Sequence, residues 1–125
     1  MDIAILGYGV VGSGVAEVIR KNGQSIADRA GEQIRVKKIL DIRDFPDSPD
    51  RELMTKDPEE IFGDPEIKIV VETIGGTGAA QEFTKRALSA GKHVVTSNKE
   101  LVAVHGPELL KLAADNGVSY LFEAS

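Results

Sequence analysis

The sequence predicts an α/β domain built on a doubly wound, mostly parallel sheet. Short apolar runs, several of them rich in β-branched residues, alternate along the chain with amphipathic patterns of helical period. Seven of the 13 glycines fall in two clusters, at residues 7–14 and 75–78, and each cluster follows an apolar run and leads into a helical pattern. Strands that alternate with helices in this way imply right-handed crossovers and a sheet covered on both faces.

Five strands and three principal helices account for most of the chain. The first helix carries an apolar stripe that starts at Val11, and it is predicted to end near Asn22 and Gly23, because Gly and Asn favour helix C-termini. The second ends at Gly91, and the third is predicted to begin at Pro107, since proline is favoured in a first turn. The predicted strands cover residues 3–6, 34–42, 68–74, 93–96 and 118–122.

Length and composition indicate one globular domain over the 125 residues, with 42% hydrophobic and 28% charged residues. The absence of cysteine excludes a disulfide scaffold, a cysteine-ligated metal and thiol chemistry, and it fits a cytoplasmic location. The N-terminus has no basic region, and charged residues or glycine interrupt every apolar stretch. We therefore expect no secretory signal, no membrane span and no membrane partner.

Most of the negative charge lies between Asp41 and Glu66. This segment has ten acidic residues against three basic ones and contains four of the five prolines. We interpret it as an exposed, solvated connection with at most a short helix near residues 58–62. The rest of the chain has no basic stripe that could neutralise a phosphate backbone, so a nucleic-acid partner is not expected.

Gly7, Gly9 and Gly12 form the pattern G-x-G-x-x-G between a predicted strand and a predicted helix, the context that a dinucleotide-binding turn requires. The first glycine permits the tight turn, the second lets a diphosphate approach the backbone, and the third allows close helix packing. The N–H groups of Val10 and Val11 would face the diphosphate at the positive end of the helix dipole. The pattern predicts a Rossmann-type NAD(P)-binding domain. One alternative is a merely flexible turn. The other is a methyltransferase that binds S-adenosylmethionine, but the third glycine, at the helix-packing position, favours a dinucleotide.

Cofactor choice is predicted to depend on Asp41 and Arg43, at the end of the second predicted strand. A carboxylate there accepts the ribose 2′-OH of NAD, and an arginine accommodates the 2′-phosphate of NADP. The two side chains project on the same side of an extended strand, so they compete for the cofactor or pair with each other. Both NAD and NADP are therefore candidates. The alternative for Arg43 is an ordinary surface ion pair.

Thr73, Gly75 and Gly76 form a second glycine-rich turn, after the middle strand. The carboxyl ends of parallel strands line the ligand crevice, so these residues are predicted to lie near the ribose and nicotinamide half of the cofactor. The alternative is a turn that only begins the next helix.

The run from Ala90 to Ala103, which reads AGKHVVTSNKELVA, resembles the amino-terminal domain of homoserine dehydrogenases. In that family a glycine-rich dinucleotide turn opens the chain, a Gly-Gly-Thr segment follows the middle strand, and the run GKHVVTANK carries a lysine. All three features occur here in that order, at residues 7–12, 75–77 and 91–99, so the resemblance covers essentially the whole chain. Ser97 replaces the common alanine, a small-for-small change.

The resemblance implies the reversible reduction of L-aspartate 4-semialdehyde to L-homoserine with NAD(P)H, a step towards threonine and methionine. It places Ser97 and Lys99 near the cofactor and gives Lys99 a role in proton transfer or substrate positioning. The expected position of Lys99 in a helix also supports a role in the reaction. Asn98 is a good N-cap, so the ammonium would lie in the first turn of a helix, where the dipole favours the neutral amine that acid–base chemistry uses.

The resemblance also implies a longer protein. In the family, a segment like Phe122 to Ser125 continues into a glycine-rich turn and a domain that binds substrate and forms the dimer. We therefore expect a substrate and dimerisation domain beyond residue 125, a homo-oligomeric full-length enzyme with a small-molecule substrate, and a monomeric fragment that binds NAD(P) without turnover. No histidine and carboxylate set has ligand spacing, so no metal site is predicted. The alternative function is a stand-alone NAD(P)-binding sensor module without catalysis.

Overall fold

A computed structural model describes residues 1–123, and Ala124 and Ser125 of the terminal Phe-Glu-Ala-Ser segment lie outside the described residues. The strands are β1 (Asp2–Leu6), β2 (Arg35–Leu40), β3 (Met54–Thr55), β4 (Ile67–Glu72), β5 (His93–Thr96) and β6 (Tyr120–Phe122). They form one sheet in the order β3-β2-β1-β4-β5-β6, and every neighbouring pair is parallel.

Helices cover both faces of this sheet: α1 (Val10–Ala30), α2 (Glu59–Phe62), α3 (Gly78–Ser89) and α4 (Lys99–Asp115). Successive side chains of a strand point to opposite faces, so β1 contributes to two hydrophobic clusters. Ile5 belongs to a cluster with Ala16 of α1. Leu6 belongs to the cluster that contains Leu88 of α3 and Leu109 of α4. The predicted doubly wound α/β fold is confirmed.

The acidic segment packs against the sheet more closely than predicted. Its strand β3 extends the edge of the sheet beside β2, and two residues are too few to carry a periodic signal. Asp50 is only 5% exposed and accepts hydrogen bonds from the Tyr8 hydroxyl (2.6 Å) and from Arg20 (2.6 Å). The interpretation of the whole segment as exposed and solvated is therefore wrong for this carboxylate. The short helix expected near residues 58–62 is confirmed as α2.

The predicted end of α1 at Asn22 and Gly23 is wrong. Asn22 leaves helical geometry locally, with φ −115° and ψ 21°, but the helix resumes after this kink. It ends at Ala30, and Gly31, with a φ of 78°, provides a left-handed C-terminal cap. The Asn-Gly pair therefore marks a kink inside a long helix and not its end.

The predicted start of α4 at Pro107 is also wrong. The helix begins at Lys99, and the N-cap expected at Asn98 is confirmed, because the Asn98 side chain accepts a hydrogen bond from the N–H of Leu101. Pro107 lies in the helix interior, where it removes one intrahelical hydrogen bond. The helix continues through it because Leu101 and Leu109, on either side, are fully buried against the sheet.

The strand order reverses beside β1, which lies between β2 and β4. In an open parallel sheet, ligands bind at this switch point, outside the carboxyl ends of the strands. Gly7 follows β1, Asp41 follows β2, Thr73 follows β4 and Ser97 follows β5. The fold therefore brings residues that are far apart in the sequence to one edge of the sheet, which we call the carboxyl edge.

Candidate functional site

Gly7 and Gly12 shape the turn between β1 and α1. Gly7 has a φ of 91°, which residues with a side chain rarely adopt, and its N–H donates to the carbonyl of Leu40 (2.8 Å). A Cβ on Gly12 would come far inside van der Waals contact with the carbonyl oxygen of Gly7. Both positions therefore require glycine, one for its backbone conformation and the other for its lack of a side chain.

Gly9 leaves the N-terminus of α1 open. Within residues 1–123, no side chain caps this helix, and no heavy atom lies within 4 Å of the position that a Cβ on Gly9 would take. The first turn contains no acidic residue, and Val10 is 91% exposed. The first N–H groups of a helix lack intrahelical partners and lie at the positive end of the dipole. Those of Val10 and Val11 are thus free to bind an anion.

Asp41 is an almost buried carboxylate that accepts four hydrogen bonds. The N–H of Tyr8 donates at 2.8 Å, and Arg43 donates through its backbone N–H (2.9 Å), Nε (3.0 Å) and Nη2 (2.9 Å). These bonds, led by those from the Arg43 side chain, lower the pKa of Asp41 to about 2, although burial opposes them. The carboxylate is therefore ionised at neutral pH.

A bidentate ion pair with Arg43 thus occupies the carboxylate that the sequence assigns to the ribose 2′-OH. A carboxylate has about four acceptor positions, so a ribose hydroxyl must displace one of the present donors. Arg43 is the donor that can leave, since its side chain is 59% exposed, whereas the N–H of Tyr8 belongs to the glycine turn. The guanidinium also lies over the Phe45 ring, 5.2 Å from its centroid.

Thr73 joins the two glycine-rich turns. Its hydroxyl donates to the carbonyls of Leu6 (2.8 Å) and Gly7 (3.0 Å), and its N–H donates to the carbonyl of Leu6 (2.9 Å). A hydroxyl has one proton, so the side-chain bond is shared between the two acceptors. Thr73 therefore holds the turn after β4 against the turn after β1.

Two of the cavities at the carboxyl edge flank the turn between β1 and α1. The larger cavity of these two, of about 440 Å³, lies between the turn after β1, the end of β2 and the turn after β4. The smaller cavity, of about 320 Å³, lies between the start of α1 and the ends of β4 and β5. Of the predicted site residues, the larger cavity is lined by Gly7, Gly9, Asp41, Arg43, Thr73 and Gly75. The smaller one is lined by Val11, Thr73 and Ser97.

The remaining predicted site residues line neither of these two cavities: Val10, Gly12, Gly76 and Lys99. Gly12 packs beneath the first turn, and Gly76, with a φ of 78°, shapes the second. Lys99 is exposed in the first turn of α4. All four stand at the carboxyl edge.

Asn98 connects the start of α4 to the second glycine-rich turn. Its Nδ2 donates to the carbonyls of Ile74 (2.8 Å) and Gly76 (2.6 Å), while its Oδ1 accepts from the N–H of Leu101 (2.9 Å). One amide side chain thus caps the helix and holds the neighbouring turn. The backbone position of Lys99, the next residue, is set by these three bonds.

Tyr8, Lys56 and Glu72 contribute to this edge, although the sequence analysis did not identify them as site residues. Tyr8 occupies a variable motif position, yet its N–H binds Asp41, and Lys56 lines the larger cavity from within the acidic segment. Glu72 is fully buried at the end of β4, where burial raises the pKa of its carboxyl. A lone carboxylate in an apolar strand pattern is a signal that could have identified Glu72. The other two residues have no such signal.

Residues 1–123 contain no group of three or more His, Cys, Asp or Glu side chains arranged to hold a metal ion. No helix in this part of the chain is long and apolar enough to cross a membrane.

Comparison with known proteins gives consistent matches. The family model described as "Homoserine dehydrogenase, NAD binding domain" matches residues 7–123. The homoserine dehydrogenase of Pseudomonas aeruginosa is 42% identical over 126 residues, which cover 100% of this chain and 29% of that protein. The homoserine dehydrogenase of Bacillus subtilis is 38% identical over 128 residues, which cover 98% of this chain and 29% of that protein. The chain thus spans less than a third of the length of these relatives.

Solved structures agree in fold. A crystal structure of S. aureus homoserine dehydrogenase at pH 6.5 superposes with a TM-score of 0.89 and 41% identity, covering 100% of this chain and 32% of that one. A hyperthermophilic archaeal homoserine dehydrogenase mutant, solved in complex with NADPH, gives a TM-score of 0.75 and 28% identity. That match covers 98% of this chain and 44% of the archaeal one.

Proposed function

Because this chain belongs to the homoserine dehydrogenase family, whose NAD-binding domain it matches, we propose that it holds NAD(P)(H) in an enzyme that interconverts L-homoserine and L-aspartate 4-semialdehyde. The observation that carries this proposal is the open N-terminus of α1 at the switch point of the sheet. Gly12 lets the helix approach β1, and Gly9 leaves room in front of the free N–H groups. This is the geometry that a dinucleotide diphosphate needs.

The two cavities suggest how the cofactor lies. With the diphosphate at the start of α1, the larger cavity would take the adenosine half, and Asp41 and Arg43 would hold its ribose. The smaller cavity would take the nicotinamide half, beside Thr73 and Ser97. Lys56 adds a second cation to the wall of the larger cavity, and it could turn from its exposed partner Asp44 (2.9 Å) towards a 2′-phosphate.

When bound, NAD(P)H supplies the hydride that reduces the aldehyde carbon of the substrate. The oxygen of that aldehyde then needs a proton. We assign this proton, or the orientation of the oxygen, to Lys99, which stands at the same edge in the first turn of α4.

The rest of the proposed enzyme lies outside this chain. We propose that it supplies the substrate-binding and dimerisation domain, and that the full-length protein is a cytoplasmic homo-oligomer. The lengths of the matching relatives support a further domain, and the lack of cysteine fits a reducing compartment. A stand-alone sensor module is not favoured, because the matching relatives are dehydrogenases.

Replacing Gly9 by valine is expected to abolish binding of NADH and NADPH to the 125-residue chain. The branched side chain would fill the space in front of the helix N-terminus, and its Cβ would meet no described atom within 4 Å, so the fold should persist. Fluorescence titration measures binding, and circular dichroism measures folding. Gly14→Val is the matched control, because Gly14 also faces open space but lies further along α1. Unchanged affinity in Gly9→Val would contradict the proposed site.

Replacing Arg43 by alanine is expected to favour NADH over NADPH. The substitution frees two acceptor positions of Asp41 for a ribose 2′-OH, and it removes a cation from the site of a 2′-phosphate. We expect the ratio of the two dissociation constants to shift by about tenfold or more, since hydrogen bonds to charged groups contribute about 1.5–3 kcal/mol. Arg29→Ala, at the far end of α1, controls for net charge. An unchanged ratio would refute the assignment.

In the full-length enzyme, Lys99→Ala is expected to lower kcat by about 100-fold or more, the range for loss of a general acid. Cofactor affinity should change little, because Lys99 lines neither cavity. Lys111→Ala is the matched control: Lys111 is exposed on the same helix and pairs only with Asp115 among the described residues. Wild-type turnover in Lys99→Ala would remove Lys99 from the reaction.

A further inference from the structure

Glu72 is a fully buried carboxylate that the proposed reaction does not use directly. It is the last residue of β4, and no salt bridge reaches it within residues 1–123. Its Oε2 accepts from the N–H of Ile74 (2.6 Å), and its Oε1 accepts from the hydroxyl of Thr96 (2.6 Å). Burying a carboxylate without a cation is costly. An apolar side chain at the end of this strand would avoid that cost.

The two hydrogen bonds belong to a closed ring. Thr96 Oγ1, which donates to Glu72, accepts from the backbone N–H of Asn98 (3.0 Å). Asn98 Nδ2 donates to the carbonyl of Ile74 (2.8 Å), and the N–H of Ile74 returns to Glu72 (2.6 Å). The ring therefore fastens the turn after β5 to the turn after β4.

The ring adjoins residues of the proposed site on both sides of Asn98. Asn98 also caps α4 and holds the carbonyl of Gly76 (2.6 Å), and Lys99 follows it directly in the chain. Ser97 lies in the chain between two members of the ring, Thr96 and Asn98. Its N–H donates to the carbonyl of Glu72 (3.2 Å). Lys99 is itself exposed, so the backbone on its N-terminal side is what orients it.

We propose that Glu72 is a positioning residue, whose carboxylate fixes the Thr96–Asn98 turn so that Lys99 and the second glycine-rich turn keep one relative placement. The proposal rests on the proposed function, because it assumes that Lys99 acts on the substrate. Displacement of a reacting group by about 1 Å can cost 100-fold in rate. A closed ring of four hydrogen bonds, two of them short bonds to Glu72 (2.6 Å each), resists such a displacement.

Two substitutions open the ring with little change in volume. In Glu72→Gln, one oxygen and one NH₂ group replace two acceptors, so the side chain can no longer accept from both Ile74 and Thr96 in the present arrangement. Thr96→Val removes the hydroxyl between Glu72 and Asn98. Thr96→Ser keeps that hydroxyl and is the conservative control.

The test uses the full-length enzyme and measures kcat, the dissociation constant of NADPH and the melting temperature. We expect Glu72→Gln and Thr96→Val each to lower kcat by about 10- to 100-fold, with a smaller fold-change in the NADPH dissociation constant. Thr96→Ser should stay near wild type. A residue that acts through Lys99 loses its effect when Lys99 is absent. Adding Glu72→Gln to Lys99→Ala should therefore lower kcat no further.

Three outcomes would overturn the proposal. The first is a wild-type kcat in folded Thr96→Val. The second is a double variant in which the kcat losses of Glu72→Gln and Lys99→Ala multiply fully. The third is a lower melting temperature with unchanged kcat in Glu72→Gln or Thr96→Val. If Glu72→Gln does not fold, Thr96→Val and its combination with Lys99→Ala decide the question. Failure of the proposed function is distinguishable, since Lys99→Ala alone would then keep wild-type turnover.

Discussion

The close approach of α1 to β1 at Gly12 is the constraint on which the rest of the site depends. No side chain fits between Gly12 and the carbonyl of Gly7, so the helix begins directly above the end of the strand. The hydroxyl of Thr73 donates to that same carbonyl and brings the turn after β4 to the same point. The helix N-terminus, the switch point of the sheet and both cavities are therefore arranged around one backbone contact.

The polar side chains behind this edge bond mainly to the protein itself. Asp41 accepts from Tyr8 and Arg43, while Asn98 bonds to three backbone groups of two elements. Such bonds fix the site before a ligand arrives, and binding then costs less conformational entropy. The Arg43 side chain is the exception, because it is exposed and must move if a ribose hydroxyl is to reach Asp41.

Sequence reasoning succeeded where a local pattern has one structural meaning. A glycine triplet between an apolar run and an amphipathic run predicted both the fold and the carboxyl edge. It failed where contacts made by other residues override a local signal. Asn22 and Gly23 look like a helix end, yet Gly31 provides the cap, and Pro107 looks like a helix start, yet the Asn98 cap comes first. Such contacts also bury Asp50, because its partners, Tyr8 and Arg20, come from α1 and the turn before it.

Binding at the switch point of the sheet requires that the dinucleotide cross the carboxyl edge with its diphosphate at the start of α1. The most direct measurement is a two-dimensional ¹H–¹⁵N NMR titration of the 125-residue chain with NADPH. We expect the largest amide shifts at residues 9–12 and 73–76, around the two glycine-rich turns. Largest shifts at the opposite edge, in the cavity that includes Met1, Arg35 and Glu66, would contradict it.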